Sequence, residues 1–190
     1  MFKILCTLFI FFNFAHACAL CNNNKVSFVQ ASIKAYVAEE QLQKIEVTWQ
    51  FSASTSAEIV KLYHIEKQMQ PSDQLKIYDS LEQYQKPSFM TSIQINGKST
   101  HVEAKNFDIF LENKLVTIRF EIPLNYALQD KNTVEIVFID SARTMVFLEN
   151  IDHTSIINTT QFKTRKDNGI KVIPEIMATT NYIKLDISKF

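Results

Sequence analysis

The chain has 190 residues, 46% of them hydrophobic, with 20 basic and 20 acidic side chains and only two glycines. That length suits one domain with a real core, and the balanced charge removes any electrostatic case for nucleic acid or an anionic membrane surface. With Gly97 and Gly169 alone, phosphate-cradling loops and dinucleotide fingerprints are excluded, because both need several glycines where backbone closely approaches a ligand.

The chain opens on Met1-Phe2-Lys3, an apolar run from Ile4 to Phe14, and Ala15-His16-Ala17. A basic start, a short apolar segment and an A-x-A site predict a secretory signal peptide over residues 1–17. The run is too short to span a bilayer comfortably, and no later stretch could do so. The expectation is an exported, periplasmic protein cut after Ala17, with residues 18–190 as one β-rich domain. Loss of Lys3 takes the basic residues one below the acidic ones.

Val26 to Phe51 reads as two long strands around a polar turn. Val29, Ala31, Ile33, Ala35 and Val37 share one face, and Ile45, Val47, Trp49 and Phe51 do the same in the second strand. Side chains alternate across a strand, so this pair buries one face and wets the other. Trp49, the only tryptophan, is the expected seed of the core.

Next comes a predicted helix pair at about 55–86, inserted between strands. Ser54 or Thr55 caps the first helix, whose stripe is Ile59, Leu62, Tyr63, Glu66 and Met69. Pro71-Ser72-Asp73 starts the second, with Leu75, Tyr78, Leu81 and Tyr84 on its stripe, and Pro87 stops it. Asn96-Gly97 is a strong hairpin signal between strands around Ile93 and Val102.

A strand at Phe107, Ile109 and Leu111 turns at Glu112-Asn113-Lys114 into Leu115–Ile122, which Pro123 ends. Val134–Ile139, apolar on both faces, belongs at the centre of a sheet, and Thr144–Leu148 follows it. The tail adds strands around 156–162, 170–173 and 182–187, with Asp167-Asn168-Gly169 as a turn. Many short strands at this spacing predict a mainly β fold, an antiparallel sandwich with the helix pair inserted.

Cys18-Ala19-Leu20-Cys21 is the one local motif with chemistry in it. Thiols three apart can share a metal, form a disulfide or exchange with one. A structural zinc site needs four ligands and no second pair exists. A redox pair wants a helix start after a strand, whereas this one precedes three asparagines. The alternatives are a small structural disulfide or a lipid on Cys18, although Ala15 and His16 fit a lipobox badly. His153, beside Asp152 and downstream of Asp140, is the only local histidine–carboxylate cluster. No nucleophile–base or acid pair is recognisable, so no enzyme is expected.

The W-x-F strand (Trp49, Phe51), the serine-rich loop and helix pair ending in Leu81, Tyr84, Lys86 and Pro87, and Phe89-Met90-Thr91 come in a telling order. With Val116–Leu124 and Ile139-Asp140 before Val146-Phe147, they resemble the bacterial periplasmic domain-of-unknown-function family 1007. Its members are often labelled ABC-transporter substrate-binding or metal-transport-associated proteins. Many of them start on a His-rich segment and join their helices by an acidic loop like a degenerate calcium loop.

This chain departs at both places. Cys18 and Cys21 stand near the start with only His16, and residues 64–71 lack the spaced acidic oxygens that calcium needs. The resemblance implies a periplasmic accessory or binding protein linked to nickel, cobalt, copper or zinc transport, partnered by a membrane transporter subunit. Cys18, Cys21 and, as a weaker candidate, His153 would be ligands for a transition metal ion. A thiol pair in place of imidazoles favours copper(I) or zinc. The alternative is a plain protein-interaction module of the cell envelope.

Overall fold

The structure, a computed structural model, describes residues 26–66, 68–81, 89–101, 103–140, 144–159, 162–173 and 178–190. The leading alternating pair forms as its pattern predicts. β1 (Ser27–Ala38) and β2 (Gln41–Phe51) pair antiparallel, with Ala31 opposite Trp49 and Ile33 opposite Val47. Glu39 and Glu40 at the turn both take positive φ, which matches the twist of a tight hairpin. Every residue placed on the apolar face is buried.

The helices between β2 and β3 are shorter than the sequence stripes. α1 (Ala53–Leu62) starts from Ser52, whose side chain accepts from the Thr55 amide, so the cap lies two or three residues before the expected one. His64 takes a left-handed φ just beyond its end, which closes off the helical path toward Met69. Buried Ser56 donates to Phe51 O and accepts from the Val116 amide, fixing α1 to two strands at once. α2 (Pro71–Ser80) opens on Pro71, and Asp73 accepts from the Gln70 amide. It buries Ile77, with Leu81 just beyond its end and Tyr78 packed against the core, so of the expected stripe Tyr78 and Leu81 face inward while Leu75 stays 60% exposed. Tyr84, Lys86, Pro87 and Val102 lie outside the described residues.

β3 (Thr91–Ile95) and β4 (Lys98–Thr100) meet at Asn96-Gly97, both at positive φ. β5 (Lys105–Glu112) turns through Asn113 and Lys114, again at positive φ, into β6 (Leu115–Ala127). β6 does not stop at Pro123. Its pairing with β5 ends at Glu121, so no β5 carbonyl waits for the amide that proline lacks, and the strand runs on. β7 (Lys131–Phe138) lies between β3 and β11, the central place that its two apolar faces require.

β8 (Met145–Glu149), β9 (Ser155–Asn158), β10 (Phe162–Ile173) and β11 (Ala178–Lys189) complete the fold. Gly169, expected in a turn, sits inside β10 directly opposite Tyr182. A Cβ there would come within 2.6 Å of the Tyr182 hydroxyl, so the missing side chain is what lets the ring lie across the strand. Nothing in Asp167-Asn168 overrides the long ladder with β11.

Two sheets result, one ordered β5-β6-β2-β1-β8 with β9 also on β1, the other β10-β11-β7-β3-β4. The protein is mainly β, a sandwich with two helices. Most pairs are antiparallel, but β8 and β9 both join β1 in parallel.

Trp49 bridges the layers. Its ring stacks on Phe89 at 4.9 Å, and Phe120, Phe138 and Phe147 surround it at 4.9–6.1 Å. Offset and edge-on aromatic contacts of this kind add to the area that each ring buries. Trp49→Ala should therefore cost about 3–5 kcal/mol, the range for emptying a core aromatic site, read as a lower chemical-denaturation midpoint. A midpoint near wild type would contradict the placement.

Candidate functional site

The site is built where β8 ends one sheet. Asp140, just past β7, accepts through one carboxylate oxygen from the Thr144 amide (2.6 Å), the Thr144 hydroxyl (2.8 Å) and the Met145 amide (2.8 Å). This fixes where β8 begins. The Ser27 amide then donates to Thr144 O and the Asn150 amide to Ala31 O, and between them β8 runs parallel to β1.

There the strand breaks. Thr154 takes over, its hydroxyl accepting from the Ile33 amide at 3.4 Å and donating to Asn150 O at 3.1 Å. β9 resumes the pairing at Ser155.

The β10–β11 pair closes over this corner. Lys166 donates to Ile151 O (2.7 Å) and Thr154 O (2.6 Å), which holds the hairpin to the β8–β9 turn. On the same face of the hairpin, beyond buried Ile183, come Asn181 with its partner Ile170 and Thr179 with Val172. A cavity of about 270 Å3 lies beneath, lined by Phe138, Asp140, Met145, Val146 and Phe147 on one side and Ile170 and Thr179–Asn181 on the other. The Thr180 hydroxyl donates to Phe138 O at 3.2 Å and joins the two walls.

Glu149 is the unusual group here. It shares the inward face of β8 with Met145 and Phe147. Burial pushes its carboxyl above the ordinary glutamate value, against hydrogen bonds from its own backbone amide and from Asn181 that favour the charged form. Its Oε1 is buried with no hydrogen-bond partner among the described residues. Glu149 does not itself line the cavity but reaches it through Asn181, which does, and perturbed carboxyls near cavities are candidates for function. The wider cavity between α2 and β5, about 440 Å3, is lined by Leu75, Tyr78, Phe107 and Ile109 with Lys105 at its rim. Lys105 pairs with Glu103 at the surface, and that cavity offers apolar contact without a buried polar group.

On the outer face of the first sheet, Val26, Phe28, Val146 and Leu148 form an apolar patch, each 40–50% exposed. Phe28 stands opposite Val146 in register. Farther along, the same face carries the ion pairs Lys34–Glu46 and Lys44–Glu121, the latter also drawn into a hydrogen bond with Asn106.

Of the residues singled out in the sequence, Cys18 and Cys21 lie outside the described residues. His153 is exposed in the turn before β9, its amide donating to Asn150 Oδ1, and Asp140 is engaged by Thr144 and Met145. Among the described residues no three His, Cys, Asp or Glu side chains come together as a metal site. Glu149 was missed, although its spacing of two and four from Phe147 and Met145 marks it as inward-facing.

Together the fold and this corner define a β-sandwich domain with a cavity at one sheet edge. No family model matches the chain, and no curated protein does. Among solved structures it is similar to the acetylcholine-binding protein type 1 of Biomphalaria glabrata, at 11% identity and a TM-score of 0.42, covering 88% of this chain and 87% of that one. It is also similar to the acetylcholine-binding protein of Bulinus truncatus, at 8% identity and a TM-score of 0.45, covering 87% and 88%. Similarity of this degree concerns chain path alone and carries nothing about ligand or activity.

The Glu149 shift makes a pH prediction. A carboxyl whose folded pKa is raised holds its proton longer in the folded state, so stability falls as pH climbs from the ordinary value of 4.5 to the raised one. Glu149→Gln keeps the shape and removes the charge. It should flatten that decline and raise the denaturation midpoint at neutral pH. An unchanged pH profile would place the carboxyl in water.

Proposed function

We propose that the chain is an exported, non-catalytic binding domain of the cell envelope that engages a partner protein along the β1–β8 corner. One observation carries this reading. Val26, Phe28, Val146 and Leu148 are apolar and exposed together, while the neighbouring part of that sheet face carries the ion pairs Lys34–Glu46 and Lys44–Glu121, and exposed Ile157 on β9 stands opposite Tyr36, away from the patch. Contiguous exposed apolar side chains commonly mark an interaction surface. Export is supported by the signal-peptide pattern over residues 1–17. The absence of enzymatic activity is part of the proposal, supported by a sequence without a recognisable nucleophile–base pair.

A photoreactive amino acid at Leu148, introduced in cells, tests it. A discrete adduct is expected, lost when Phe28→Glu is added, and no such adduct from Lys98 on the far sheet edge. Equal adducts from both positions, or none from Leu148, would sink the reading.

A second reading keeps the metal-handling role that the sequence resemblance implies. Cys18 and Cys21, three apart near the start of the exported chain, would supply thiolates for copper(I) or zinc in the service of a membrane transporter. Titration of the exported form with copper(I), zinc and nickel, with both thiols reduced, checks it. Binding tighter than micromolar is expected, lost equally in Cys18→Ser and Cys21→Ser because a two-point site fails when either point goes. Unchanged binding in both variants would remove the metal from this motif.

A further inference from the structure

Among the described residues five strands border the two sheets, β4, β5, β8, β9 and β10, and all but β8 carry features that discourage pairing with another chain, β9 by being only four residues long. β4 is three residues long, and β5 is bent by an irregularity between Lys105 and Asp108. β10 is studded with charge from Lys163 to Lys171. Short edges, bulges and charged edges all hinder strand addition. β8 is short as well, at five residues, but it has no bulge and no charge on its outer face, where its side chains are Val146 and Leu148.

The ladder shows which backbone groups are open. The Ser27 amide bonds Thr144 O and the Asn150 amide bonds Ala31 O, with Ser27 opposite Met145. Parallel pairing then turns Val146 and Leu148 toward β1 and leaves Met145, Phe147 and Glu149 pointing their amides and carbonyls outward. Asp140 already takes the Met145 amide, and the Glu149 carboxyl takes its own. Among the described residues nothing takes the donor or the acceptor of Phe147, which lie together on the open edge at the wall of the cavity.

We infer that this edge accepts an extended peptide segment of a partner protein, which pairs with Phe147 as an added strand and lays apolar side chains on Val146, Leu148 and Phe28. The inference rests on the binding-domain reading and names its mode. Size selects this occupant. The exposed parts of the patch amount to roughly 300 Å2, at the low end of ordinary surface patches. A stable pair of copies buries about 800 Å2 on each partner, so a second copy seated on this patch gains too little. Strand addition needs less apolar area because main-chain hydrogen bonds supply much of its affinity. The 270 Å3 cavity falls below the range of about 300–1,000 Å3 usual for small-molecule pockets and suits a single inserted side chain.

Amide hydrogen exchange of the exported form, with and without a capped heptapeptide of alternating threonine and valine, tests the inference. The Phe147 amide should exchange at least about tenfold more slowly with peptide present, as expected when an open edge amide becomes hydrogen-bonded. The same peptide N-methylated along its backbone should have no effect. Val146→Lys with Leu148→Lys should abolish the protection at an unchanged thermal midpoint; should that pair fold poorly, Val146→Thr with Leu148→Thr serves instead.

Unchanged exchange at Phe147, or protection by the N-methylated peptide, overturns strand addition. Protection that needs no peptide and grows with protein concentration overturns it in favour of a second copy. A Leu148 photo-adduct in cells alongside a negative exchange result leaves the binding domain standing and strand addition refuted, so the two failures are distinguishable.

Discussion

Trp49 has no free face, and the rest of the sandwich is arranged around that fact. Its contacts come from both layers and from the chain entering β3: Phe120 and Phe147 from its own sheet, Phe138 from the opposite one, and Phe89 from just before β3. Phe89 and Met90 both take positive φ to bring that ring over the indole. Such a conformation costs non-glycine residues about 1–2 kcal/mol each. Ring stacking and full burial of Phe89 offset that cost. The indole Nε1 is buried without a hydrogen-bond partner among the described residues, a further cost of about 1–3 kcal/mol. A site that tolerates both penalties depends on aromatic packing, and the sheets are held in register through it.

The same cluster connects core to edge. Phe147 touches Trp49 on its inner side and has open backbone groups on its outer side. β8 is therefore anchored by one well-packed aromatic side chain and by the Asp140 cap, with Glu149 at its far end holding a desolvated carboxyl. An inward carboxyl at the end of a short edge strand also discourages prolonged pairing there. The open stretch is accordingly confined to the middle of β8.

What could be read from the sequence tracks the strength of each local pattern. The period-two runs of β1, β2 and β6 placed their core residues correctly because a one-residue slip would expose every one of them. Asn96-Gly97 was legible because two consecutive positive φ values strongly restrict residue choice. The helix pair was legible in its existence and its Pro71 start but not in its extent or its full stripe, because each helix buries few side chains: Ile77, off the expected stripe, is buried while Leu75, on it, is exposed. Gly169 and Pro123 were misread as punctuation, since what each does depends on a strand far away in sequence, Tyr182 across the ladder and β5 ending early. Parallel pairing of β8 and β9 with one strand leaves no local signature. The corner it creates was invisible for that reason, while Glu149 alone carried a phase that could have been noticed.

Strand lengths explain why a cavity forms at this corner. β10 and β11 each run twelve residues, whereas β8 runs five before β1 must be completed by Thr154 and then by β9. Both ends of a long hairpin cannot be covered by a strand that short. One end is fastened by Lys166 to the β8–β9 turn, so the unmatched length falls at the other, where Ile170 and Val172 stand exposed and Asn181 and Thr179 replace the isoleucines and leucine of the covered half. Polar residues appear on that face of β11 where the opposing layer ends. A cavity bounded by an incomplete edge on one wall and an overhanging ladder on the other follows from this mismatch.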